Sequence, residues 1–148
     1  MSFKDTIIEH PWDARLIELL DAAGVRHRRL SVIEHRAREQ AWRRVYGRAF
    51  DRRIRRRREG AKAVYEFRAE APGEWLLVPF LADVPGTQVS VTPPPRLGAF
   101  ACDGPLLELA DFSDLECFIS PPDFSWTFVR THEDFELGGP YFVRAEWV

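Results

Sequence analysis

Residues 31–60 run SVIEHRAREQ AWRRVYGRAF DRRIRRRREG. Ser31 followed three positions later by Glu34 is the pattern of a capping box, which satisfies two free backbone donors and opens a helix. Apolar residues then recur at Ile33, Ala37, Ala41, Trp42, Val45, Tyr46, Ala49, Phe50 and Ile54. These steps of three and four make one face wide enough to cover a sheet. The spacing predicts a helix to about Arg58, roughly 40 Å long at ~1.5 Å per residue, with Gly47 as a point of bending and Gly60 past its end. Arg36, Arg43, Arg44, Arg48, Arg52 and Arg55 fill much of the remaining surface, and the cluster from Arg52 to Arg58 lies where a helix dipole favours cations.

Upstream, Pro11 at a first helical position, then Trp12, Leu16, Leu19, Leu20 and Ala23, predict an amphipathic helix that Gly24 stops. Val25 to Leu30 is a short connection, with an extended conformation as one option. Downstream, the period changes to two. Ala63–Arg68, Trp75–Leu81 and Gln88–Thr92 suggest an antiparallel meander, and Leu115–Ser120, Phe124–Thr131 and Tyr141–Trp147 suggest three more strands. Pro105–Phe112 is a candidate short helix under the sheet. The expected architecture is one α+β domain over residues 1–148, helical over residues 1–60 and sheet-forming over residues 61–148. Two N-terminal helices would pack on one face of an antiparallel sheet of about five to six strands.

The formal net charge is only −2, but it is strongly segregated. Residues 1–25 carry a net −3, residues 26–62 a net +11 and residues 63–148 a net −10. Such halves generate a field that the total conceals, and they are compatible with a homodimer. The hydrophobic content of 45% excludes a disordered chain. No apolar run approaches the ~20 residues of a membrane span, and Met1–Asp5 lacks the apolar core of a signal peptide, so a soluble cytoplasmic protein with no membrane partner is expected. Cys102 and Cys117 are too few for a disulfide framework and suit small buried hydrophobes.

Chemistry-bearing motifs are sparse. No phosphate-binding loop, dinucleotide fingerprint or nucleophile elbow is present. Cys117 lies in an apolar strand, which places it in the core and away from a cleft, so it is a poor nucleophile for His132. On an extended chain Trp126, Phe128, Arg130, His132 and Asp134 share one face. His132 and Asp134 could therefore pair or hold a metal if His10, His27 or a carboxylate supplied a third ligand. Two ligands at this spacing do not make a metal site, and the adjacent Glu133 and Asp134 point to opposite faces. Neither catalytic residues nor a metal or other cofactor are expected, and an enzyme around His132 is the weakest of three readings.

The run from Trp126 to Glu133 has the form W-T-x-V-x-T-H-E, and residues 139–142 complete it with G-P-Y-F. This tail resembles that of small uncharacterised bacterial proteins grouped as a DUF4275-like domain of unknown function. The resemblance covers roughly 30 residues and implies a small α+β protein with no catalytic residues to transfer. Some such proteins are encoded beside toxins as immunity proteins.

Binding by the acidic half is therefore the leading expectation. In that reading the chain is a non-catalytic protein-binding module, immunity-like or antitoxin-like, that meets a basic protein partner through Trp126, Arg130, His132, Glu133, Asp134 and Glu136. The alternative is a nucleic-acid-binding protein using the Arg-rich helix 43–58, through Arg48, Arg52, Arg53, Arg55, Arg56, Arg57 and Arg58. Its difficulty is that single-strand readers need exposed aromatics, whereas Trp42, Tyr46 and Phe50 fall on the core stripe.

Overall fold

A computed structural model describes residues 11–47, 57–71, 73–81, 98–107, 116–130 and 139–148. The elements in chain order are α1 (Pro11–Ala22), β1 (Arg26–Arg29), α2 (Val32–Tyr46), β2 (Arg58–Glu59), α3 (Ala61–Arg68), β3 (Gly73–Leu81), β4 (Phe100–Gly104), β5 (Glu116–Ser120), β6 (Trp126–Arg130) and β7 (Tyr141–Arg144). A 3-10 turn, Ala145–Trp147, follows β7. The strands form a seven-stranded sheet in the order β1-β4-β3-β5-β6-β7-β2, with every neighbouring pair antiparallel. The fold is mixed α+β, as expected, with seven strands among the described residues where five to six were expected.

The predicted stop of α1 and the predicted start of α2 form for the anticipated reasons. Gly24, at φ +73°, takes the left-handed conformation that ends α1. The Val25 amide donates to the Leu20 carbonyl at 2.9 Å and the Gly24 amide to Asp21 at 3.1 Å, the paired bonds of a Schellman stop. Ser31 caps α2 through the full capping box with Glu34.

Four expectations are corrected. First, the helices do not share a face. Side chains alternate along each strand, so Trp75, Leu77, Phe100, Ile119, Phe128 and Phe142 line one face and are covered by Leu16 and Leu20 of α1 and Ala63 and Phe67 of α3. Leu76, Val78, Phe118, Val129 and Val143 line the other, under Trp42 and Tyr46 of α2. The 25–30 connection is an edge strand, and in passing through β1 the chain moves from the first face to the second.

Second, α2 ends at Tyr46, with Gly47 at its cap, while Arg58–Glu59 pairs with β7 as a strand. Helical and strand segments therefore interleave along the chain. Third, Ala63–Arg68 belongs to helix α3. Its alternation also fits a spacing of four, and Ala63 and Phe67 are the buried pair. Ala, Lys, Glu and Arg favour the helix there. With that segment helical, the meander is replaced: β3 lies between β4 and β5. Fourth, Pro105–Leu107 is not helical, while Gln88–Thr92 and residues 108–112 lie outside the described residues.

The register of α2 also differs from the predicted stripe. Trp42 and Tyr46 are buried, whereas Ile33 is 82% exposed. Trp42 Nε1 donates to Thr127 Oγ1 at 2.8 Å, and the Tyr46 hydroxyl donates to the Phe124 carbonyl at 2.5 Å. Phe124 holds φ +56°, a left-handed conformation that costs a non-glycine residue energy, and the Tyr46 bond and its own packed ring fix it.

Candidate binding groove

The β1 end of the sheet is assembled around a buried carboxylate. Asp13, 1% exposed on α1, accepts from Arg29 Nη1 at 2.6 Å and from the Gly98 amide at 2.8 Å. It thereby ties α1, β1 and the approach to β4 together. The absence of a side chain at Gly98 matters here, because a Cβ would stand 3.0 Å from the Arg29 guanidinium carbon. On the same face His27 Nε2 meets Asp21 Oδ1 at 2.8 Å, and its ring lies edge-on to Phe100.

On the opposite face of β1, Arg26 and Arg28 point toward α2. Arg26 bonds Asp103 at 2.6 Å, and Arg28 holds both oxygens of Glu34, at 3.1 and 3.2 Å. The Arg28 hydrogen bonds and that from the Ser31 amide hold the Glu34 carboxyl down at about 2. Pairing of β3 with β4 stops at Leu77, and the Pro79 carbonyl lies 3.2 Å from His35 Nε2 of α2.

Between α2 and the β1-β4-β3 end lies an open groove of about 470 Å³. Ala101 and Pro122 contribute apolar surface, Arg26, Arg28 and Arg38 contribute cations, and Glu74 and Asp103 contribute carboxylates. Pro122 lies in the turn that leads to Phe124. Arg38 and Glu74 have no ion-pair partner among the described residues. The ion pairs of Arg26 and Arg28 are exposed, and pairs of that kind are weak enough to exchange for a ligand's groups. Ile33, the most exposed large apolar residue described, stands beside Glu34 on the first turn of α2.

The residues singled out in the sequence separate widely. Trp126 is in the core, between Phe67 and Phe142, so it is removed from the partner-binding set. The shared face of Trp126 and Phe128 is the face α3 covers. Arg130 is half-buried at the end of β6. His132, Glu133, Asp134 and Glu136 lie outside the described residues, as do His10, Arg48, Arg52, Arg53, Arg55 and Arg56. Arg57 bonds Glu59 at 2.6 Å and lies over the Tyr141 ring, while Arg58 faces Glu66 at 3.7 Å and the Trp147 ring.

Cys117 is buried, and burial pushes the Cys102 thiol up to about 12, so Cys102 presents no ready thiolate. Among the described residues no three His, Cys, Asp or Glu side chains converge as metal ligands, and no helix is long and apolar enough to cross a membrane. The groove was not anticipated in the sequence. Its one legible signal was Arg26 and Arg28 at alternate positions, which in a strand share a face. Compared with protein-family models, curated proteins and solved structures, the chain matches none.

Proposed function

We propose that the chain is a protein-binding module whose partner seats in the groove between α2 and the β1 end of the sheet. The observation that supports this reading is the groove's makeup: apolar side chains flanked by charges of both signs. That is the anatomy of a protein interface, with an apolar centre and a polar rim. A partner segment that fits carries one apolar residue for Ala101 and Pro122, an acidic group for Arg38 and a basic group for Glu74.

An immunity-like or antitoxin-like role belongs to the same proposal, since such a protein acts by covering its partner's surface. The acidic half contributes Glu74 and Asp103 to the groove, which gives a basic partner its counter-charges. Contact through the hairpin residues Glu133, Asp134 and Glu136 rests on the sequence alone.

The test is crosslinked capture with three baits: the native chain, the groove double variant Arg38→Glu/Glu74→Lys, and the triple variant Glu133→Gln/Asp134→Asn/Glu136→Gln. The groove variant is expected to lose the native chain's partner while keeping its circular dichroism and melting temperature. Retention by the groove variant with loss by the hairpin variant would move the interface to the acidic hairpin. Retention by both would contradict the proposal.

A further inference from the structure

At the opposite end of the sheet and on the opposite face, α3 presents an aromatic residue to solvent. Tyr65 is 76% exposed, against full burial of Phe67 two positions on. Arg58, Ala61, Lys62, Tyr65 and Glu66 enclose an open concavity of about 480 Å³. Lys62 precedes Tyr65 by three residues, so the ammonium and the phenol ring lie on the same side of the helix. Lys62 has no ion-pair partner among the described residues. Glu66 is engaged internally: Arg144 meets it at 3.4 Å and Arg58 at 3.7 Å.

We propose that this concavity is a binding site for single-stranded nucleic acid, with Tyr65 as the base-stacking platform and Lys62 and Arg58 as phosphate contacts. The inference goes beyond the groove and does not depend on it. Sequence-tolerant single-strand sites combine cations along the backbone with an aromatic face that any base can stack on. The arginine-rich segment alone lacked that second component, because Trp42 and Tyr46 are buried. Tyr65 supplies it.

A second copy of this chain would present the same Arg58 and Lys62 cations, which disfavours self-association through this patch.

The test is fluorescence anisotropy with labelled oligouridylate and oligothymidylate of about ten nucleotides and a duplex of similar length, at about 50 and about 200 mM salt. Micromolar binding to the single strands is expected, weakening about sevenfold across that salt range for two phosphate contacts. Tyr65→Ala is expected to weaken binding at least about fivefold, the lower limit for loss of one stacked base, while Tyr65→Phe keeps it. Lys62→Ala is expected to flatten the salt dependence. Equal affinity of Tyr65→Ala and the native chain would overturn the proposal, as would duplex binding as tight as single-strand binding, or no binding at about 50 mM salt. Displacement of the oligonucleotide by an equal charge concentration of polyglutamate would overturn it in favour of an acidic protein ligand.

Discussion

The two ends of the sheet use arginine in opposite ways. At the β1 end Arg29 is three-quarters buried against Asp13, which is itself almost fully buried and also holds the Gly98 amide. At the β2 end Arg57 and Arg58 lie over the rings of Tyr141 and Trp147, with their carboxylate partners Glu59 and Glu66 partly exposed. The same residue type is thus a clamp at one end and a surface cation at the other. What decides is the burial of the partner: a charge taken out of water demands its counter-charge, and an exposed one does not.

The contrast predicts a wide spread of stabilities. Asp13→Ala leaves the Arg29 guanidinium and the Gly98 amide without their acceptor, so urea denaturation should show a loss of ~3–5 kcal/mol, the cost of breaking a buried pair. A loss under about 1 kcal/mol would mean the two ends do not differ in kind.

Tyr46→Phe removes the bond that helps hold Phe124 in its left-handed conformation and should lower stability by ~1–3 kcal/mol, read as a shift in denaturation midpoint at constant slope. Arg58→Ala should cost no more than ~1 kcal/mol in the same measurement, because the side chain is half-exposed and its carboxylate lies at 3.7 Å. A cost matching that of Asp13→Ala would make the β2 end a second clamp and weaken its assignment as a binding surface.

The smallest effect is one of pH, again at the β1 end. The Glu34 carboxyl is held at about 2, below its ordinary 4.5, by Arg28 and the Ser31 amide. Its contribution is therefore present above pH 4.5 and fades as pH falls toward 2. Melting temperatures of Glu34→Gln and the native chain should differ at pH 6 and converge on acidification. A gap that widens on acidification would contradict the sign.

Local signals carried much of the fold. The Gly24 stop and the Ser31–Glu34 cap are short-range hydrogen-bond patterns, and both stand where the sequence put them. Tertiary partners decided the rest. Ala63–Arg68 satisfies both a period of two and a spacing of four, and only the neighbouring strands show that Ala63 and Phe67 are the buried pair. Arg26–Arg29 is too short and too charged to announce a strand, yet β4 pairs with all four residues. An extended connection was one option for that segment, but its pairing with β4 was not legible, which concealed the change of face between α1 and α2.

The candidate surfaces were less legible for the same reason. Tyr65 looked like a member of an alternating strand, and the groove joins residues from three strands, α2 and the Pro122 turn.

The central claim is that the two ends of the sheet bind different things. Amide hydrogen exchange of the native chain with and without oligouridylate tests it directly. The account predicts slowed exchange from Arg57 to Arg68, with unchanged exchange at Arg26–Arg29 and over the first two turns of α2. Slowed exchange at β1 and α2, with none at α3, would contradict it.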